Sequence, residues 1–305
     1  MENKTKGFIL IVLSTLLSGG SLIFSAILRN LGVAPTTQSI VRNLFATITV
    51  FIFAFIFNKK ILKINKKDVP LFLLLGFLVG AGNIASFSAI MLKTPIAISA
   101  FLYQTQPIII IFLSKIFFKE KVKKNIILSI LFGLAGVYFL CTPTSSEKIP
   151  IMGVILSLLA AVFFAGEIIF SKKAGDLNLN PFTTFSMSYF SAAIIIILIS
   201  PLLNYLLSIG TKFSFYIPFQ AYFILLLSAF HAIVFISLFY IGVRYLKAST
   251  TSIIRFLSPV SATIMGLIFL KEVVTRQIII GGGLVLLAVV SVIKNENDAL
   301  NKKKI

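Results

Sequence analysis

Residues 103–107 place four hydrogen-bonding side chains and a proline inside an otherwise apolar run: Tyr103, Gln104, Thr105, Gln106 and Pro107. Buried polar groups need partners, and the proline removes one backbone N–H and frees the carbonyl four residues before it. We therefore predict a kinked helix at which Tyr103, Gln104 and Gln106 face a water-filled cavity and bind a polar solute. The alternative is that these side chains only join neighbouring helices. Because successive helical residues point in different directions, at most two of the four side chains are expected to share a face.

Arg255 and Glu167 place opposite charges inside two other apolar runs. An arginine at the centre of a membrane-spanning helix costs about 2.5–3.5 kcal/mol, so Arg255 is expected to face a cavity and an anionic partner. Three roles stay open for these residues. They form a structural salt bridge, or one of them binds the charged end of a zwitterion, or Glu167 is a site that takes up and releases a proton.

Three further polar residues are candidates with weaker support. Asn83 lies one position after Gly82 and is expected to line the same cavity. His231 lies near the middle of an apolar run, where it is either part of the solute site or an interhelical hydrogen-bonding group. We interpret Arg42 as a structural anchor and the Gly19-Gly20 pair as a packing notch between helices.

Composition identifies the solvent in which these residues act. The chain is 58% hydrophobic and 12% charged, with a mean hydropathy of +1.04, which is far from the balance of a soluble domain. We predict an all-α integral membrane protein in contact with the lipid bilayer. The net charge of +19 does not indicate nucleic acid, because the basic residues lie in short loops between apolar runs. One cysteine and one histidine exclude a Cys/His metal cluster, and no cofactor is expected.

Ten apolar runs are each interpreted as a membrane span. Their predicted bounds are 7–28, 36–57, 70–92, 95–118, 124–141, 151–171, 181–203, 219–243, 248–269 and 277–293. With the N-terminus in the cytoplasm, the cytoplasmic segments hold 19 lysines and arginines, the outer loops hold 6, and 3 lie inside spans. This asymmetry predicts a protein of the cytoplasmic membrane with both termini inside the cell.

The chain also repeats itself. Thirteen residues separate Pro107 from Glu120 and Pro259 from Glu272, and both copies close on a Lys-Glu pair. The segment 7–20 likewise matches 153–166 in length and in its terminal glycines. Residues 1–143 and 150–305 are therefore predicted to be two five-span repeats, and because five is odd, the second is inverted relative to the first. Inverted repeats characterise secondary transporters, which bind their solute near the midplane between the halves.

These repeated proline and Lys-Glu motifs resemble the EamA family of the drug/metabolite transporter superfamily. The resemblance covers essentially the whole chain and implies ten helices in two inverted five-helix repeats. It also implies transport of a small-molecule solute, such as an amino acid or related metabolite, with export as the direction. A solute of another class, such as a quaternary amine or drug, is the alternative, and a non-transporting membrane protein is a more distant one.

Together these observations predict a secondary transporter whose cavity is lined by spans 1, 3, 4, 6, 8 and 9. The chain contains no GK[ST] ending of a phosphate-binding loop, so coupling to a proton or solute gradient is expected instead of ATP hydrolysis. A membrane enzyme is disfavoured, because one histidine and one deep acid do not supply the clustered groups that catalysis needs.

Overall fold

The computed structural model describes residues 2–57, 59, 63–94, 96–120, 124–140, 150–207, 214–261, 264 and 276–301, and within them all regular structure is helical. A short 3-10 turn, Lys66–Asp68, precedes the fourth helix. The helices are α1 (Glu2–Ser18), α2 (Ser21–Asn30), α3 (Pro35–Phe57), α4 (Val69–Met91), α5 (Ile96–Tyr103), α6 (Gln106–Phe118), α7 (Lys124–Leu140), α8 (Ile151–Asp176), α9 (Pro181–Leu207), α10 (Phe219–Gly242), α11 (Ala248–Ile254) and α12 (Arg276–Asn301).

Seven helical segments of the described chain are long and apolar enough to cross a membrane. They are Asn3–Asn30, Pro35–Ile56, Lys66–Met91, Phe101–Phe118, Ile151–Asp176, Pro181–Pro201 and Phe219–Gly242, with two shorter apolar helices at Lys124–Phe139 and Ile279–Val292. The protein is therefore a multi-pass membrane protein. The count of ten spans and their inverted arrangement stay predictions, and much of the ninth span, with the Lys271-Glu272 pair, lies outside the described residues.

Large apolar side chains cover the outside of the helical assembly. Phe55, Phe112, Ile151 and Leu198 all lie exposed on it. In water, a continuous apolar surface of this kind would drive association. In a bilayer this surface contacts lipid chains. The membrane environment that composition predicts therefore accounts for an apolar surface that would be unstable in water.

Three predicted spans are interrupted helices. The first breaks at Gly19-Gly20 between α1 and α2, which corrects the interpretation of this pair as only a packing notch. The fourth breaks at Gln104-Thr105, and Pro107 lies in the first turn of α6, where its missing N–H leaves no intrahelical bond unmade. The ninth breaks after Ile254, where α11 ends, and becomes helical again over residues 257–261.

The two halves of the chain pack mainly against each other. The most extensive helix contacts pair α7 with α12, α4 with α8 and α9, α3 with α9, and α1 with α10. At the α7–α12 contact, a Cβ added to Gly136 would lie 2.7 Å from the Gly281 carbonyl oxygen, so this glycine allows the two backbones to approach closely. Each of these contacts joins a helix before residue 143 to one after residue 150, which brings side chains of both halves around one interior.

Candidate functional site

An interior cavity of about 140 Å³ lies where the interrupted helices meet. A volume of this size holds roughly five water molecules or one small solute. Its polar wall consists of Ser18, Ser21, Arg42, Asn83, Ser86, Tyr103, Gln104, Gln106, Glu167, Tyr189, Arg255 and Ser258. The remaining wall residues are Gly19, Phe87, Phe164, Phe235, Ile236, Phe239 and Pro259. Apolar walls with a few convergent polar groups are typical of small-molecule sites.

The segment 103–107 contributes three wall residues, Tyr103, Gln104 and Gln106. The expectation that at most two of these side chains share a face is wrong. It assumed an unbroken helix, whereas the interruption at Gln104-Thr105 turns Gln106 back toward the cavity. Thr105 is not among the wall residues, and its hydroxyl donates to the Leu102 carbonyl oxygen at 2.8 Å.

Hydrogen bonds hold these wall residues in place. The Tyr103 hydroxyl bonds the Ser86 hydroxyl at 2.7 Å, and the Tyr103 ring packs edge-on against Phe164 at 6.3 Å between centroids. The amide Nε2 of Gln104 donates to the Arg255 carbonyl oxygen at 3.4 Å. The latter bond joins the break in the fourth span to the break in the ninth, one from each half of the chain.

The first span reaches the same place. Ser18, the last residue of α1, donates from its hydroxyl to the Ser258 hydroxyl at 3.1 Å. Unwound backbone at membrane depth is tolerated only where protein buries it or where it borders a water-filled cavity. The meeting of three breaks at one cavity satisfies this condition.

Two arginines and one glutamate are the charged residues of the described wall: Arg42, Arg255 and Glu167. Glu167 interacts electrostatically with Arg255 and, more weakly, with Arg42. Nevertheless, none of these residues forms an ion pair within 4 Å in the part of the chain that the structure describes. The two guanidinium groups lie over aromatic rings, with Arg42 4.9 Å from the centre of Phe87 and Arg255 5.4 Å from that of Phe239.

His231 is not among the cavity-lining residues. Its Nε2 lies 2.8 Å from the Leu17 carbonyl oxygen, and its ring packs between Phe24 and Phe235 at centroid distances of 5.4 and 5.1 Å. The histidine thus satisfies a carbonyl near the break in the first span. The other six candidate residues (Tyr103, Gln104, Gln106, Asn83, Glu167 and Arg255) line the cavity.

Sequence reasoning missed part of the wall. Arg42 in α3 and Tyr189 in α9 both line the cavity, so the second and seventh predicted spans contribute to it as well. The charge of Arg42 inside an apolar run was the one signal that the sequence offered for either residue. No group of three or more potential metal ligands occurs among the described residues.

Comparison with known proteins places this geometry in a family. The model of the EamA-like transporter family matches residues 5–142 and again residues 151–294. An uncharacterized transporter of Archaeoglobus fulgidus is 26% identical over 281 residues, which cover 92% of this chain and 93% of that protein. The uncharacterized transporter YxxF of Bacillus subtilis is 26% identical over 212 residues, which cover 68% of this chain and 64% of that protein.

The fold also has a counterpart among solved structures. One crystal structure superposes with a TM-score of 0.76, covering 95% of this chain and 97% of the other. Its sequence identity is 13%, so the likeness shows a shared fold and nothing about solute.

Proposed function

Because the chain belongs to the EamA-like transporter family, we propose that it is a secondary transporter that moves a small polar solute through the cavity by alternating access. The solute class is an amino acid or a related metabolite, and a proton or solute gradient drives transport. The observation that carries the proposal is the position of the cavity, at three helix breaks and between the two halves of the chain.

Interrupted helices suit this task for a physical reason. At a break the chain changes direction, so polar side chains that a continuous helix would spread over several faces converge on one site. These side chains supply donors and acceptors to a solute, while the phenylalanines of the wall hold the apolar part of a small molecule. Relative rocking of the two halves would expose such a site to one side of the membrane and then to the other.

The topology belongs to the same proposal. We place both termini in the cytoplasm and the protein in the cytoplasmic membrane, with ten crossings in two inverted five-helix repeats. The excess of lysine and arginine in the cytoplasmic segments supports the orientation. The paired motifs in residues 101–120 and 253–272 support the repeat.

The first experiment compares two neighbouring residues of one segment. Purified protein is screened for ligand-dependent thermal stability against amino acids, polyamines, sugars and quaternary amines. The best stabiliser is then tested for counterflow in proteoliposomes, because a carrier shows trans-stimulation whereas a channel does not. We expect Gln104→Ala to abolish both stabilisation and counterflow, and Thr105→Ala, whose side chain is not on the wall, to preserve both.

Stabilisation that survives Gln104→Ala would move the solute site away from this cavity. A stabiliser that shows no trans-stimulation would contradict the carrier mechanism.

A further inference from the structure

The cavity carries charge that the protein leaves uncompensated. Arg42, Arg255 and Glu167 face one small interior space, and their formal charges sum to one positive charge. Charged groups within a membrane protein normally pair with one another, because an unpaired charge in a weakly polar interior is costly. Here no ion pair shorter than 4 Å joins these three residues.

The buried guanidinium of Arg42 has a hydrogen-bond donor with no acceptor. Its side chain is only 6% exposed, and its Nε is buried with no hydrogen-bond partner. The guanidinium carbon lies over the Phe87 ring, 4.9 Å from its centre. A cation–π contact of this kind supplies no acceptor oxygen, so the N–H donors of Arg42 are available to bind a planar oxyanion.

Arg255 repeats this arrangement from the other half of the chain. It lies at the break between α11 and residues 257–261, and its guanidinium carbon lies over the Phe239 ring, 5.4 Å from its centre. Its backbone carbonyl accepts the Gln104 amide, which holds the residue beside the cavity. Its side chain donates no hydrogen bond within the described part of the protein.

From these observations we propose that the solute carries a carboxylate and one net negative charge, and that Arg42 and Arg255 bind the carboxylate. Glu167 then receives the N–H or O–H donors of the solute. This inference rests on the proposed transport function and narrows its solute class. It makes both arginines specificity-determining residues, in contrast to the anchor role that the sequence suggested for Arg42.

Solutes of other charge fit the cavity less well. A quaternary amine binds over open aromatic faces, and two of the four phenylalanines of the wall, Phe87 and Phe239, already contact arginines. Its positive charge would also add to the excess that is present. A zwitterion with no net charge can pair with one arginine and with Glu167, but it leaves the second arginine uncompensated.

The test uses probes that differ in charge and hardly in shape. Thermal stability and counterflow are measured with L-glutamate against L-glutamine and with L-lactate against L-lactamide, with choline as the cation. We expect the carboxylate of net charge −1 in each pair to bind at least tenfold more tightly than its amide, and choline not to bind. In Arg42→Gln and Arg255→Gln this preference should fall at least tenfold.

Two controls distinguish solute binding by the two arginines from a purely structural role of these residues. Arg276→Gln removes the same charge at an exposed position outside the cavity and should leave the preference intact. Without ligand, Arg42→Gln and Arg255→Gln should melt no lower than the unaltered protein, because they remove uncompensated charge. A second pair of variants, Arg42→Lys and Arg255→Lys, keeps the charge and should weaken carboxylate binding by loss of the planar donor edge.

The outcomes separate this inference from the proposed function. Equal binding of acid and amide, absence of binding by every carboxylate, or a lower melting temperature of the ligand-free glutamine variants would overturn the charge assignment. Counterflow of a neutral or cationic solute would overturn it as well, but would leave the transport function standing. Selective carboxylate binding without trans-stimulation would support the charge assignment and contradict transport.

Discussion

At the scale of single residues, one pair of side chains in the wall of the cavity shows how that wall is held in place. Tyr103 and Ser86 come from different helices, α5 and α4, and their hydroxyls lie 2.7 Å apart. The bond therefore fixes the wall before a solute enters, which reduces the ordering that binding requires.

We expect the Tyr103–Ser86 bond to contribute a measurable coupling energy. In a double-mutant cycle with Tyr103→Phe and Ser86→Ala, the interaction free energy should be about 0.6 kcal/mol and no more than about 1.7 kcal/mol, the range found for hydrogen bonds between membrane helices. The measurement is reversible unfolding of the purified protein in mixed detergent micelles. Strict additivity of the two substitutions would show that the hydroxyls do not interact.

Much of this wall could be predicted at residue scale. Tyr103, Gln104 and Gln106 are recognisable because uncharged hydrogen-bonding groups beside a proline are out of place in an apolar run. Tyr189 carried no such signal, since an isolated tyrosine is common in membrane helices. Arg42 did carry a signal, but depth within a span does not reveal whether an arginine side chain turns toward lipid, backbone or a cavity.

At the scale of helices, the Lys-Glu pair of the first half has a structural role that its repetition did not reveal. Lys119 follows α6 in the left-handed conformation, and Glu120 then reaches the start of α11. One carboxylate oxygen of Glu120 accepts from the Ala248 N–H at 3.1 Å. The other accepts from the Ser249 hydroxyl at 2.7 Å. Glu120 thus caps a helix of the other half, since α11 has no side-chain cap of its own.

We expect Glu120→Gln to lower the free energy of unfolding by about 1 kcal/mol, because a neutral amide is a weaker acceptor for helix N-terminal N–H groups than a carboxylate. Asp68→Asn is the matched control: Asp68 precedes α4 but makes no side-chain capping bond, so its loss of charge should change stability little. Unfolding in detergent compares the two. A smaller effect of Glu120→Gln than of Asp68→Asn would rule out the capping role.

Helix breaks were only partly predictable. Pro107 predicts the break in the fourth span, because proline is compatible with the first turn of a helix and not with the interior of a helix. The break at Gly19-Gly20 was not distinguishable from a packing notch, since glycine serves both purposes. The equivalent helix in the other half, α8, runs unbroken from Ile151 to Asp176. Comparison of the two repeats therefore could not predict the break in the first span.

At the scale of the whole molecule, the two halves cannot be regarded as separate bodies that merely touch. The helices of each half find their main neighbours in the other half, as in the pairs α7–α12 and α4–α8. Sequence similarity between halves indicates a common fold for each but says nothing about such interlocking. Association across the halves is therefore required to form the cavity, and a half expressed alone would expose the interior surfaces of its helices.

The proposed orientation of this assembly in the membrane can be tested at two of its loops. Tyr216, between α9 and α10, is 99% exposed and belongs to a predicted outer loop. Lys66, between α3 and α4, is exposed and belongs to a predicted cytoplasmic loop rich in lysine. The only cysteine of the chain is Cys141, so a Cys141→Ser background offers no competing thiol. Single cysteines at these two positions then report which side of the membrane each loop occupies.

We expect a membrane-impermeant maleimide to label the Tyr216→Cys variant in intact cells and to label the Lys66→Cys variant only after the membrane is permeabilised. The physical reason is that short loops rich in lysine and arginine are retained on the cytoplasmic side during insertion. Labelling of both variants in permeabilised cells serves as the control for accessibility. The reverse pattern would invert the orientation of the whole molecule, and labelling of both variants in intact cells would mean an even number of spans between the two loops, instead of the predicted five. Either result would also reassign the side of the membrane on which Glu120 caps α11, because the predicted topology puts Glu120 and Lys66 in loops on the same side.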